Sequence, residues 1–383
     1  MSERAGEAAR TYRRIRAGTE ALVEGMTPED MNGQAFPEAS PAKWHLAHTT
    51  WFFETFLLAR RAPSWRPPRP EWRMLFNSYY DSVGDRPPRD RRGLLTRPAL
   101  DEVMSWRRMV DEAVLSLLDR DPEPAELAIG LAHEQQHQEL IVTDGLALFA
   151  AHPLEPAWTR PHPHHVPPPP GWRSHGGGIV EIGAAADGFA FDNERPRHRT
   201  LLGPFRLAAR PVTCGEWLDF MADGGYRRPT LWQEDGWTAL RAAGWRAPEY
   251  WDRRDGTWTV MTVAGRRPVA PDAAVCHVSW YEADAYARWA GARLPAEAEW
   301  EAADPPGAGL VWEWTADAHR PYPGWRPAAG AFGEYNGKFM AGRMVLRGGS
   351  TATPPGSTTR HTRNFWPPAT RWQFTGLRLA EDA

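Results

Sequence analysis

The chain has 383 residues, a formal net charge of −3 and 24% charged residues. It therefore carries no global basic field to hold nucleic acid or an anionic membrane, and small molecules are the expected partners. No apolar run approaches the roughly 18 residues that a membrane helix needs, the N-terminus MSERAGEAARTYRRIRAGTE lacks an apolar signal core, and Cys214 and Cys276 build no disulfide framework, so a reducing cytoplasm is the expected compartment.

A chain of this length suits two domains. The first helix is predicted over about residues 4–24, ending near Gly25. The second starts at Ser40-Pro41, with Ser as cap and Pro at the first helical position, and runs through KWHLAHTTWFFETFLLAR to about Arg60. Its Trp44, Ala47, His48, Trp51, Phe52 and Thr55 recur every three or four residues, the mark of a buried helical stripe. Residues 61–96 form a long Pro/Arg-rich connection containing FNSYYDSVGD, and a loop of that length inside a domain usually carries function. A third helix is predicted from Thr96-Arg97-Pro98 to Leu118, and a fourth from Asp121-Pro122 to about Ala150. Together they read as a four-helix bundle over residues 1–152. Residues 153–174 read as a Pro-rich linker, with His162, His164 and His165 as solvated linker residues rather than a second metal site. Over residues 175–383 short apolar runs (GGIVEIG, VCHVSW, RMVLRGGS, FTGLRLA) alternate with loops, and helices are expected near 281–291 and 296–303. With 21 Trp and 37 Pro in the chain, this half reads as a loop-rich α+β domain pinned by aromatic side chains.

HEQQHQE at 133–139 is the sharpest chemical signal. His133 and His137 stand four apart on a helix, so both imidazoles face one ion. The stretch also matches the zinc-protease pattern H-E-x-x-H, but no third zinc ligand follows at the usual spacing. The same spacing also suits a pair of hydrogen-bonded core histidines. His48 lies within the aromatic stripe of the second helix and adds a third imidazole. Three histidines on two bundle helices can hold a metal and leave other coordination positions open. His45, in the same HLAH, is expected to play a structural or supporting part.

SPAKWHLAHTTWFFETFLL (40–58), FNSYYDSVG (76–84), RRGLLTRP (91–98) and HEQQHQEL (133–140) resemble the DinB-like domain of EgtB-type sulfoxide synthases of ergothioneine biosynthesis. PVTCGEWLDF (211–220), VSWYEADAYARWAGARLPAEAEWE (278–301), VWEWTADA (311–318), EYNGKFM (334–340), VLRGGSTATP (345–354), TRNFWPP (362–368) and GLRLA (376–380) are similar to the sulfatase-modifying-factor domain, a C-type-lectin-like fold shared with formylglycine-generating enzymes. The resemblance implies a DinB-like four-helix bundle followed by this lectin-like domain. It implies Fe(II) held by His48, His133 and His137, O2 as co-substrate, and formation of a C–S bond and sulfoxide between hercynine (Nα-trimethylhistidine) and a thiol. Tyr79 and Tyr80 match a tyrosine pair placed near the iron as acid or hydrogen-bond donor. Gln136 matches a contact to the substrate imidazole, and Asn364 and Phe365 match the C-terminal loop that closes on substrate. Arg360, Arg363 and Arg371 are candidates to pair with carboxylates, and Arg89 and Arg92 are weaker ones.

Departures from the family pattern bear on the sulfur donor. Trp366 stands where members using γ-glutamylcysteine carry an acidic residue, which favours cysteine as the thiol. Thr351 stands where a Cys is expected, which leaves open a selenoneine synthase acting on hercynine and a selenosugar. Imidazole suits zinc as well as iron, so a DinB-like zinc-dependent thiol transferase is a further alternative, although it leaves the second half unexplained. A non-enzymatic binding module leaves the three histidines and the tyrosine pair unexplained. Cys214 and Cys276 are not placed as the cysteine pair of formylglycine-generating enzymes. No metal site is assigned to Glu313 and Asp317 near VWEW, and Trp312 and Trp314 are expected in the core.

Overall fold

Residues 3–158 and 166–383 are described by the computed structural model, and the chain divides into two units, residues 1–160 and 161–383. His162, His164 and His165 lie outside the described residues.

The first unit is built on helices α1 (Glu3–Leu22), α2 (Ala42–Phe52), α3 (Leu100–Leu118) and α4 (Ala125–Ala151). Past Phe52, α2 widens into a π-helical segment, Phe53–Leu58, and ends at Arg61. It lies against both α3 and α4, and α1 packs along α4. Gly130 permits the close approach of α4, since a Cβ there would stand 2.6 Å from the Phe53 ring. The apolar stripe of α2 is core as expected: Trp44, Ala47, Trp51 and Phe52 are all buried. Removing each such aromatic ring from water contributes roughly 1.5–3 kcal/mol or more.

The helix starts differ from the sequence reading in detail. Helix α2 begins at Ala42 with Pro41 in the cap position, and Ser40 makes no cap bond. Instead the Ser40 amide donates to Asp144 Oδ2 at 2.8 Å, and its hydroxyl accepts from Arg92 Nη1 at 2.9 Å. A buried carboxylate and a buried guanidinium thus compete successfully for the groups that would have capped the helix. Helix α3 starts at Leu100, where the Glu102 carboxylate takes the Ala99 N–H at 2.9 Å.

One carboxylate ties the four helices together. Glu134 on α4 accepts Arg16 Nη1 of α1 at 2.8 Å, Arg107 Nη2 of α3 at 2.7 Å and the Thr19 hydroxyl at 2.6 Å. The same guanidiniums donate to Thr50 and Thr49 of α2, at 3.1 and 3.2 Å. All of these groups are buried. Burial alone would raise the Glu134 pKa, but Arg107 and Arg16 pull it from 4.5 down to about 2. The Glu of the H-E-x-x-H pattern is therefore a fixed counter-ion for two guanidiniums.

The second unit carries small sheets. β1 (Trp172–His175), β4 (Phe205–Ala208) and β12 (Ala380–Asp382) form one, in the order β1-β4-β12. β8 (Trp312–Ala318), β9 (Met344–Arg347), β10 (Asn364–Trp366) and β11 (Thr375–Leu377) form the central one, in the order β10-β9-β8-β11, with β11 parallel to β8. A β2–β3 pair (Gly178–Ile182, His198–Leu202) and a β5-β6-β7 meander (Trp251–Arg254, Thr257–Thr262, Gly265–Pro268) are the other strands among the described residues. β1 opens at Trp172, inside the stretch read as linker. Helices α5 (Cys214–Ala222), α6 (Glu234–Ala243), α7 (Trp280–Trp289) and α8 (Glu297–Ala303) pack among the loops. The first two were missing from the sequence reading, although Thr213 and Glu216 form a capping box that signals α5. Trp312 and Trp314 are buried in the core. The architecture is the expected α+β, helices first and strands after.

Replacing Glu134 by Ala leaves two buried guanidiniums without their shared counter-ion and is expected to cost about 3–5 kcal/mol, read as a drop in the denaturant midpoint. A folded-state pKa depressed below the unfolded one gives stability that is present above about 4.5 and lost as pH falls towards about 2. The variant's stability should therefore be flatter across that window than the wild type's.

Candidate metal centre

His48 projects from α2, and His133 and His137 project from successive turns of α4. One ligand nitrogen from each lies within 4.8 Å of the others, and all three side chains are buried. His48 Nε2 stands 3.2 Å from His133 Nε2. Two imidazole nitrogens each about 2.1 Å from one ion would stand roughly 3.0–3.4 Å apart at angles between octahedral and tetrahedral. The donor set is soft enough for iron or zinc and leaves several positions of a coordination sphere to other ligands. The residues present therefore fit a mononuclear divalent metal.

Each imidazole is held by its surroundings. His48 Nδ1 lies 2.6 Å from the Phe76 carbonyl, so Nδ1 carries the proton and Nε2 keeps its lone pair for the cluster. Trp44 stacks on its ring at 4.5 Å and Trp51 at 5.3 Å. Phe52 stacks on His133 at 4.1 Å. His137 Nδ1 lies 2.8 Å from His45 Nδ1, and His45 Nε2 lies 3.1 Å from Asp144 Oδ2. Burial, and then the neighbouring His133 ring, holds His48 well below its ordinary pKa. Burial acts likewise on His137, followed by His133 and His48. Burial brings His133 down to about 3, against the opposing pull of Glu134. All three are neutral rings at physiological pH, the form that binds a metal.

The tyrosine pair lies close to this cluster through its aromatic wall. Tyr80 is fully buried and packs 5.8 Å from Trp51 and 6.2 Å from Phe52, the rings stacked on His48 and His133. Tyr79 is half-buried, 4.8 Å from Tyr80. Gln136, next to His137, is exposed on α4, as is Arg89 in the connecting loop. Arg92, by contrast, is buried. Its guanidinium lies 3.4 Å from the centre of the Trp44 ring and donates to the Ser40 and Ser78 hydroxyls. Among the described residues no carboxylate lies within ion-pair distance of it, and burial, then Arg89, pushes its pKa well down.

Asn364, Phe365 and Trp366 form β10 in the second unit, half-buried and paired with Leu346, Val345 and Met344. Phe365 stacks on the buried His319 ring at 4.0 Å, and Trp366 packs edge-on to Trp372. The arginines divide. Arg363 grips Glu297 at 2.8 and 2.9 Å, and Arg371 holds Glu282 and Glu249, each at 2.9 Å. Both are buried, so the expectation that they offer a fork to a substrate carboxylate gives way to a structural role. Arg360 is exposed. Glu313, to which no metal site was assigned, is held by Arg378 at 2.8 Å and by the Trp300 indole at 2.6 Å.

The sequence reading missed Asp144, Phe76 and the Arg16–Glu134–Arg107 lock. Asp144 had a legible signal: it is a lone charge in the apolar IVTDGLALF, seven residues after His137 and so on the same face. Phe76 acts through its backbone carbonyl, which no side-chain pattern reports.

The DinB superfamily matches residues 11–154, and the sulfatase-modifying factor enzyme 1-like domain matches residues 161–310 and 307–383. A protein of Mycolicibacterium thermoresistibile named hercynine oxygenase is 33% identical, over 92% of this chain and 90% of its own length. One of the same name from Mycobacterium tuberculosis is 32% identical, over 96% of this chain and 97% of its own. A formylglycine-generating enzyme of Streptomyces coelicolor is 34% identical over 40% of this chain and 52% of its own length.

The protein is expected to bind one divalent ion per chain, measured by metal analysis after dialysis. His133→Ala should abolish that binding while leaving the far-UV circular dichroism near wild type. In the second unit, Arg371→Ala breaks a buried ion pair and should lower the thermal midpoint, at a cost of about 3–5 kcal/mol. Arg360→Ala should leave that midpoint unchanged.

Proposed function

The chain belongs to the hercynine oxygenase family, and we propose on that premise that it is an Fe(II)- and O2-dependent sulfoxide synthase of ergothioneine biosynthesis. In this reading it joins a thiol, cysteine, to C2 of the imidazole of hercynine. The observation that carries the reading is the buried cluster of neutral His48, His133 and His137 within an aromatic wall. The C2–H and S–H bonds are lost, one oxygen atom of O2 ends on sulfur and the other leaves as water. O2 is thus the four-electron oxidant and the balance needs no external reductant. Iron, when bound, supplies the site at which thiolate and O2 are activated together.

The chain's own residues do the rest. Three neutral imidazoles leave the charge of the ion uncompensated, which favours binding the thiol as thiolate. Trp44, Trp51 and Phe52 cover the histidine rings and keep bulk water from them. Arg92, a buried cation with no carboxylate within ion-pair distance among the described residues, favours an anionic co-substrate near Trp44, and the exposed Arg89 can add to that field. Tyr79 and Tyr80 are assigned the proton or hydrogen-bond donor to the oxygen destined for sulfur. Gln136, Asn364, Phe365 and Trp366 are assigned to substrate, with the Trp366 side chain, uncharged, favouring a thiol without a γ-glutamyl arm.

Anaerobic loading with Fe(II), then O2 with hercynine and cysteine, should give hercynylcysteine sulfoxide by mass spectrometry. Parallel reactions with γ-glutamylcysteine and with a selenosugar identify the donor. Metal binding without O2 consumption for every donor would move the assignment to a zinc-type thiol transferase. Tyr79→Phe or Tyr80→Phe should lower sulfoxide formation on the order of 10²-fold and divert O2 to oxidation of the thiol alone. Unchanged product ratios in both variants would remove the tyrosines from the donor role.

A further inference from the structure

His137 differs from its two companions in what lies behind it. His48 is oriented by a backbone carbonyl and His133 is stacked by Phe52. Behind His137 stands a second histidine, His45, and behind that a carboxylate, Asp144. All three side chains are buried. The chain of contacts crosses the helix interface twice, from Asp144 on α4 to His45 on α2 and back to His137 on α4.

We infer that Asp144 and His45 are positioning residues, a two-link hydrogen-bonded relay that fixes the tautomer and ring orientation of His137 so that its Nε2 lone pair faces the metal. This rests on the reading of His48, His133 and His137 as metal ligands.

The proton positions follow from the partners. A carboxylate only accepts, so the 3.1 Å contact to Asp144 Oδ2 places the His45 proton on Nε2. A neutral His45 then presents a lone pair at Nδ1. The 2.8 Å contact between the two Nδ1 atoms needs one donor and one acceptor, so His137 Nδ1 carries the hydrogen. That leaves His137 Nε2 unprotonated. The Ser40 amide also donates to Asp144 Oδ2 at 2.8 Å and secures the carboxylate at the start of α2. A hydrogen bond accepted from a ligand imidazole holds its ring in place and strengthens its lone pair as a donor, and loss of such a partner weakens metal binding about 10–100-fold. The alternative, a polar link that merely ties α2 to α4, requires nothing of His137.

The test uses Co(II) as the probe with the full chain. Affinity is measured by titration, and the ring N–H protons of metal-bound histidines are observed as exchangeable, strongly shifted proton resonances. His45→Leu keeps the volume and removes the acceptor. It should weaken Co(II) binding about 10–100-fold and displace or abolish the His137 Nδ1–H resonance, with the His48 resonance retained. His45→Gln offers an amide oxygen to His137 and should recover part of the affinity. Asp144→Asn keeps the shape and serves if His45→Leu does not fold. It should shift the same resonance and weaken binding in the same direction. Wild-type affinity and an unmoved His137 resonance in the folded variants overturn the relay. A wild-type protein that binds no Co(II), or a His137→Ala variant that binds it unchanged, overturns instead the metal reading beneath it.

Discussion

The first unit depends on a carboxylate that has nowhere to go. Glu134 is buried on α4, and an isolated ionised carboxylate there would be prohibitively costly. Arg16 from α1 and Arg107 from α3 neutralise it, and their remaining donors reach Thr50 and Thr49 on α2. Buried ion pairs of this sort often add little net stability against an apolar alternative, but a broken one is expensive. Their effect is to permit one arrangement of the helices and penalise the rest. Thr49 follows His48 and Glu134 follows His133 in the chain. Fixing the rotation of α2 and α4 through Thr49 and Glu134 therefore also fixes the direction in which His48 and His133 point.

The same physics organises the second unit with other residues. Glu282, Glu297, Glu301 and Glu313 come from the helices α7 and α8 and the strand β8. They are met by Arg371, Arg363, Arg347 and Arg378, all from the last forty or so residues of the chain. The C-terminal segment is thus fastened by ion pairs as well as by β10, β11 and β12. Motif residues that look like ligand contacts in sequence are, in Arg363 and Arg371, parts of this fastening. The β10 residues Asn364, Phe365 and Trp366 make no part of this ion-pair set and stay half-buried.

Around the histidines the environment is aromatic and buried, and charge is kept one layer out. Imidazoles in such a place stay neutral because protonation would put a cation into low dielectric beside other rings. Neutral rings with directed lone pairs suit a borderline divalent ion such as iron or zinc, and the outer contacts to Phe76 and to His45–Asp144 supply the direction. The buried Arg92 over Trp44 adds a positive field at the edge of this region without entering it.

How much of this was legible in the sequence follows from the range of each interaction. Helical periodicity is local, so four bundle helices, the buried stripe around His48 and the shared face of His133 and His137 could be read from spacing. The change from helical to short-strand texture was legible too, and with it the α+β order of the two halves. Family resemblance rested on contiguous motifs and reached the same two folds. Pairings between residues a hundred positions apart have no local signature. Nothing in SPAKWH says that Ser40 would give up its capping role to Asp144 and Arg92, and nothing in HEQQH says that Glu134 faces two arginines rather than a metal. Arg363 and Arg371 could not be told from Arg360 by type, because burial separates them and burial is decided by the rest of the fold. The sequence alone determined the bundle helices, the helix-then-strand order and which side chains are chemically able to act; the tertiary structure decided which are spent on holding the fold, because buried charge must find its partner wherever the chain brings one.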